Sequence, residues 1–175
     1  MPTPISHAAV GFAIGAWAAP APPTGRVCAA AAACAALPDI DVLWSSGLPA
    51  SSPLVHRAFT HSLLFAGVAA VAVALVFFSD DRWRPYRSRI AGVLFLALLS
   101  HSCLDSLSTY SLGIGFFVPF SEHRFRFGWR PLGRPTGTIL SQLVEEALVL
   151  FGPGVVLAWL AWRVRGRETV AASTL

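Results

Sequence analysis

The sequence predicts an all-α, polytopic helical membrane bundle of about three full transmembrane spans preceded by a short N-terminal helical hairpin, and three observations carry that expectation. Hydrophobic residues make up 55% of the chain and charged ones only 13%, with a mean hydropathy of +0.62, so a water-soluble core of this size would lack a polar shell. Long stretches of the chain offer no residues from which to build one. Arginines gather at the ends of those stretches, where they orient spans in a bilayer.

Taken in order, residues 5–19 and 27–37 are two shorter apolar stretches separated by the breaker run PAPPTG at 20–25, the pattern of a helical hairpin over residues 1–37. Residues 60–78 form the clearest span, nearly the ~20 residues needed to cross the hydrocarbon, with no charge. Residues 90–110 form a second, interrupted only by Ser100, His101 and Asp105, and residues 138–162 a third, in which Glu145 and Glu146 are the exceptions. The whole chain, 1–175, reads as a single integral membrane domain.

The formal charge of +4 comes from arginine alone, because no lysine occurs. Basicity can signal nucleic acid, but short arginine clusters flanking apolar spans are explained by membrane orientation, and no nucleic-acid partner is expected. Cys28, Cys34 and Cys103 lie inside apolar segments without a Cys-x-x-Cys pair, so they read as small core residues. The N-terminus lacks the basic region of a signal peptide, and no cleavage is expected.

Threading the spans places Arg26, Arg82, Arg84, Arg87, Arg89, Arg163, Arg165 and Arg167 on one side, against Arg57, Arg124, Arg126, Arg130 and Arg134 on the other. The positive-inside rule then sets the N-terminus outside and the C-terminus in the cytoplasm. The same threading brings His7, Asp39, Asp41, His56, His61 and His123 to the extracytoplasmic face. His101 lies about 18 Å along its helix from Arg89 at ~1.5 Å per residue, in the outer half, so all five histidines are expected to converge.

Within that set, His101 and Asp105 are four apart, a spacing that stacks both on one helix face where they can share a ligand. A carboxylate inside a span is costly; a metal cation would compensate Asp105, and so would pairing with Arg57 or hydrogen bonds to His101 and Ser108. Asp39 and Asp41 follow Pro38 and, in an extended turn, would share a face as two oxygen donors for one or two cations; solvated loop acids are the bland alternative. His56, Arg57 and His61 sit just before the clearest span, with Thr60 a plausible N-cap, and imidazole is the commonest metal ligand while Arg57 can hold an anionic substrate oxygen. His7 opens the first helix after Ser6. Glu122, His123 and Arg124 occupy an aromatic, arginine-rich loop that equally suits a headgroup belt; Glu122 can serve as a general base or stand as a solvated acid. Glu145 and Glu146 can orient metal-bound imidazoles or pair with arginines.

Taken together, ISH at 5–7, PDID at 38–41, the HRxxTHS run at 56–62, HxxxD at 101–105 and PFSE at 119–122 resemble the YdjM-like family of membrane-bound metal-dependent hydrolases. The ordered set spans most of the chain; the last span and tail fall outside it. The resemblance implies a bacterial inner-membrane protein with a catalytic metal, linked in some members to the DNA-damage response, and it names no substrate. Glu122 is carried over more readily than His123, which stands where variation is expected.

The expected function is hydrolysis at the membrane surface, with a lipid phosphoester as the first candidate because a site there meets headgroups first. A divalent metal, Zn²⁺ on the abundance of imidazole or else Mn²⁺, would be bound by His61, His101, Asp105 and Asp39, with His7 as a further ligand; Asp41 and His56 would complete a second cation site or support the first. Arg57 and Glu122 are the candidate catalytic residues. The alternative is a non-enzymatic membrane protein in which the same residues hold a structural metal or carry ions or protons. Against transport, a pathway should show polar residues through the cytoplasmic half too, yet residues 60–78 and 90–99 are apolar there.

Overall fold

The first helix begins where the sequence says it should. In the computed structural model, which describes residues 2–20, 24–109, 112–133 and 138–172 with the side chains of 166–172 left aside, α1 spans Pro4–Ala18 behind an N-cap at Thr3, with proline at its first position. Thr24 caps α2, Gly25–Ala36. Gly11 and Gly15 let these two helices touch: a Cβ at Gly11 would lie 2.4 Å from the Ala35 Cβ, and one at Gly15 2.8 Å from the Cys28 Cα, the small-xxx-small contact of membrane helices.

α2 does not stop at Pro38. The chain tightens into a 3-10 turn, Leu37–Asp41, and one more helical turn, α3, Val42–Ser45, so that Gly25–Ser45 as a whole is long and apolar enough to cross a membrane. The other segments of that kind are Arg84–Ser106 and Ile139–Arg165. By contrast α4, the helical part of residues 60–78, covers only Leu63–Phe77 and is capped by the Ser62 hydroxyl, which accepts from the Phe65 N–H at 3.1 Å. Thr60, the expected cap, lies in a separate 3-10 turn, Phe59–His61, and is free for other work.

α5, Arg87–Ser106, shows how the site is positioned. Its buried side reads Ile90, Val93, Leu94, Ala97, Leu98, His101, Ser102, Asp105, one stripe at helical spacing whose chemistry changes from aliphatic to polar along its length. Ala66, Ala70 and Ala74 of α4 pack into the apolar core shared with that stripe. The chain then runs through residues 112–133 to α6, Ile139–Glu146, a π turn, Ala147–Phe151, and α7, Gly152–Ala172. The π turn falls just before Pro153, which has no N–H for the helical ladder, a usual cause of such a bulge. α1 packs against α2, α5 and α7, and α5 against α2 and α4.

Among the described residues there is no strand; two isolated bridges, Ser108 with Leu132 and Ile114 with Phe125, hold the long loop. The fold is an all-α bundle with three helical segments long enough for a membrane. Tyr110 and Arg134, which entered the sequence reading, lie outside the described residues, as does the side chain of Arg167.

One end of the bundle is closed by guanidinium groups. Arg165 donates to the carbonyls of Ala16, Trp17 and Ala19 at 2.7–2.9 Å, and Arg89 to that of Ala18. Arg26 donates to Phe77 and Arg87 to Phe78 and Ser79. These are the orphan carbonyls of α1 and α4, and cations suit the negative ends of helix dipoles. The histidines lie at the opposite end.

Candidate metal centre

His101 enters the centre with its orientation set by a neighbouring helix. Its Nδ1 lies 2.7 Å from the Ala35 carbonyl, which can only accept, so Nδ1 carries the proton and Nε2 presents a lone pair. Pro38, three residues further on, has no N–H to offer that carbonyl. His61 is fixed in the same tautomer by a different route. Thr60 gives its hydroxyl proton to Asp41 Oδ2 at 2.5 Å, so its oxygen accepts from His61 Nδ1 at 3.0 Å, and the Nε2 lone pair of His61 turns inward.

The two Nε2 atoms face one another at 3.1 Å. Asp39 Oδ1 lies 3.3 Å from His101 Nε2 and 3.9 Å from His61 Nε2, and Asp105 Oδ2 lies 3.7 Å from His61 Nε2. Four potential metal-ligating atoms therefore converge, and all four fall within 4.8 Å of one another. Zinc with ligands at ~2.0–2.2 Å has donor-to-donor edges of about 3.3–3.6 Å in a tetrahedron. The spacings straddle that value, and a cation or a proton between the two Nε2 atoms would relieve the repulsion of neutral imidazoles.

Asp39 and Asp41 do not share a face. The extended turn expected of them is a 3-10 helix, where residues two apart diverge by about 120°, so Asp39 points to His101 while Asp41 points to the loop before α4. There Asp41 Oδ1 accepts from His56 Nδ1 at 2.6 Å. Asp41 Oδ2 takes the Thr60 hydroxyl and lies 3.5 Å from His61 Nδ1. Asp41, His56 and His61 form a second group of suitable spacing, but both oxygens of Asp41 are engaged by protein donors, the arrangement of a carboxylate that orients a ligand histidine.

Asp105 is completely buried and meets Arg57, whose Nε donates to Oδ2 at 3.0 Å. Arg57 is itself 6% exposed and adopts φ +69°, a left-handed backbone that an arginine rarely accepts. Its N–H points to Asp41 Oδ2 at 3.4 Å and its carbonyl accepts from Gly115 at 3.0 Å. Three carboxylates and one guanidinium leave two negative charges in a buried volume, and buried charge needs compensation.

His7 stacks on His101 with ring centroids 3.8 Å apart, and its Nε2 lies 3.5 Å from Asp105 Oδ1. Neither nitrogen of His7 has a hydrogen-bond partner, nor do Asp39 Oδ1 and Asp105 Oδ1, although all are buried. Orphaned polar atoms around one point are what a site for an ion or water leaves behind. The residues therefore fit a divalent metal held by Asp39, His61, His101 and Asp105, with His7 at its edge.

Not every expected residue arrives. The histidines do not all converge: His123 is exposed, its ring edge-on to Phe125 at 4.6 Å, because its loop pairs Ile114 with Phe125 and turns the segment outward. Glu122 is also exposed and lines a cleft of about 240 Å³ with Ser51, Ser52, Ser121 and Arg124. Glu145 accepts from the Gly133 N–H at 3.3 Å. Glu146 accepts from the Thr3 N–H at 2.7 Å and the Ser6 hydroxyl at 3.1 Å, so it anchors the start of α1 rather than a histidine ring. That tie, and the Ala35 carbonyl, left no mark in the sequence; the hydroxyls of Ser6 and Thr60 beside histidines were the available signal.

Comparison with known proteins adds a family frame. The family described as YdjM inner membrane protein matches residues 1–172. The inner membrane protein YbcI of Escherichia coli (strain K12) is 36% identical over 172 residues, covering 93% of this chain and 98% of that protein. Protein YvsG of Bacillus subtilis (strain 168) is 36% identical over 100 residues, 57% of this chain and 54% of YvsG. No solved structure matches the chain.

Proposed function

The chain belongs to the YdjM family of inner membrane proteins, and from that premise we propose that it is a metal-dependent hydrolase of the bacterial inner membrane, acting on a lipid phosphoester at a site on the extracytoplasmic side. The observation that carries the reading is the convergence of the Nε2 lone pairs of His61 and His101 with Asp39 and Asp105. Zn²⁺ suits two imidazoles and two carboxylates, and Mn²⁺ suits the carboxylates.

A divalent metal held by Asp39, His61, His101 and Asp105 would supply activation of a water as the nucleophile. The protein's own residues do the rest. Asp41 and Thr60 hold His61 in one tautomer, and the Ala35 carbonyl does the same for His101. Arg57 steadies Asp105 through Nε, and its positive charge suits an anionic substrate oxygen in this scheme. His7, buried with its Nε2 3.5 Å from Asp105 Oδ1, borders the same donors from α1. Glu122, in the cleft with Arg124, belongs with the substrate's polar head in this scheme, away from the reacting water.

The test is metal content and hydrolysis in one preparation. Detergent-purified protein reconstituted with Zn²⁺ or Mn²⁺ should hold near-stoichiometric metal and cleave a member of a phospholipid panel. Metal without any cleavage across lipid and soluble phosphoesters would favour a structural site, and no metal at all would remove the centre of the proposal. A reporter fused to the C-terminus and active only outside the cytoplasm should stay silent; activity there would reverse the assigned side.

A further inference from the structure

The lengths of the helices set the depth of the cluster. The carbonyls capped by Arg26, Arg87, Arg89 and Arg165 mark one membrane interface, since guanidinium groups belong at the edge of the hydrocarbon. Counting from Ala18 back to His7, from Arg89 on to His101 and from Phe77 back to His61, a rise of ~1.5 Å per residue puts the cluster about 17–24 Å from that interface. The hydrocarbon is ~30 Å thick, and helix tilt shortens the distance covered, so the cluster falls short of the far boundary.

The last helix measures the shortfall independently. Glu146 is level with the start of α1 through its bonds to Thr3 and Ser6, and α6 continues beyond it for seven residues to Ile139, about 10 Å. Along that extension Gln142 and Glu145 turn to the protein beside Leu132 and Gly133, whereas Ile139, Leu140, Leu143 and Val144 are exposed. An apolar outer face on a helix that rises past the cluster marks hydrocarbon at that height. α3 and the long loop at this end also present Leu43, Phe120 and Trp129, each more than two-thirds exposed.

From these two measures we infer that the cluster lies inside the hydrocarbon of the site-side leaflet, about 10 Å beneath its surface, and that its ligand is a membrane lipid arriving sideways from the bilayer. The least buried members of the cluster are Asp39 and His56, with side chains 9% and 22% exposed. Their chain neighbours Ile40, Val42 and Leu54 are exposed and apolar, so the least buried edge of the cluster is bordered by side chains suited to lipid tails. The depth stands on the helices alone; that the arriving lipid is a substrate rests on the hydrolase reading.

The test uses the full chain in phospholipid liposomes, with Cys28, Cys34 and Cys103 replaced by alanine and single nitroxide labels at Leu64→Cys, Val68→Cys, Leu140→Cys and Ser51→Cys. Leu64 is exposed in the first turn of α4, level with His61, and Ser51 is an exposed loop residue. The label at Leu64 should be relaxed by oxygen and protected from a water-soluble nickel complex as fully as the one at Val68, with Leu140 also protected and Ser51 open to nickel. Nickel access at Leu64 equal to that at Ser51 would put the site at the aqueous surface and overturn the proposal. Exclusion of both reagents at Leu64 would mean that protein covers this face, and would overturn it as well. Where the cysteine-free background does not fold, a genetically encoded photoreactive residue at Leu64 and Ile40 gives the same readout: adducts with acyl chains support entry from the bilayer, and their absence counts against it. Neither measurement depends on bound metal, so failure here leaves the metal-content result to stand separately.

Discussion

The Nδ1–H of His101 donates to the Ala35 carbonyl across 66 residues of sequence, at 2.7 Å. A bond between a side chain in the middle of one long helix and the last turn of another fixes the tautomer, aims Nε2 at His61, and couples the α2–α5 contact to the centre. Each part of that coupling can be tested.

His101→Ala and Asp105→Ala should each abolish near-stoichiometric metal, since each removes one of four converging donors. Elemental analysis of monodisperse protein, with helical content checked by circular dichroism, decides this. Full retention of metal in both variants would move the centre elsewhere.

Asp41→Asn should weaken metal affinity roughly 10–100-fold without abolishing it, the usual cost of losing a carboxylate that orients a ligand histidine. Asp41 touches Thr60, His56 and His61 rather than the converging lone pairs. Competition with a chromogenic chelator gives the ratio, and a loss as complete as that of His101→Ala would make Asp41 a ligand.

Gly11→Leu should separate α1 from α2, because a Cβ there already meets Ala35 at 2.4 Å. A destabilisation of at least ~1–3 kcal/mol is expected for overpacking a close contact, read as a lower midpoint in detergent unfolding. Because Ala35 also holds His101, metal should bind more weakly in the same variant, whereas Gly67→Leu, where nothing lies within 4 Å of the added Cβ, should leave both unchanged.

Arg57→Ala should cost about 3–5 kcal/mol, the range for breaking a buried ion pair and stranding its partner, less whatever the relief of its left-handed backbone returns. Added metal should recover part of that loss, since a bound cation compensates Asp105 in its place. Unfolding midpoints with and without Zn²⁺ measure the recovery, and identical losses in both conditions would count against a cation beside Asp105.

Glu146→Ala should cost ~1–3 kcal/mol by leaving the Thr3 N–H and the Ser6 hydroxyl without their acceptor, and Glu146→Gln should keep most of the stability because its amide oxygen still accepts. Hydrogen exchange at the first turn of α1 should rise in the alanine variant alone.

The sequence by itself determined that the chain is a helical membrane protein and that histidines and aspartates recur at the ends of its apolar runs. Runs without charge leave the backbone no solvent but itself, so helices follow, and the four-residue spacing of His101 and Asp105 puts both on the buried side of one helix wherever that helix packs. The threading that brought His7, Asp39, His61 and His101 to one end needed only span counts and arginine positions. Tertiary structure alone decided what each member does. Asp39 and Asp41 parted because a tighter turn at Pro38 rotated them about 120° per residue, a matter of backbone geometry that two aspartates in a row of letters do not disclose. His123 stayed outside because its loop pairs elsewhere, and Glu146 serves α1 because the last helix returns beside the first; both outcomes depend on contacts between segments far apart in the chain, which no local pattern encodes. The depth of the cluster is of the same kind: it is a sum over helix lengths and packing, and it exists only once the helices stand side by side.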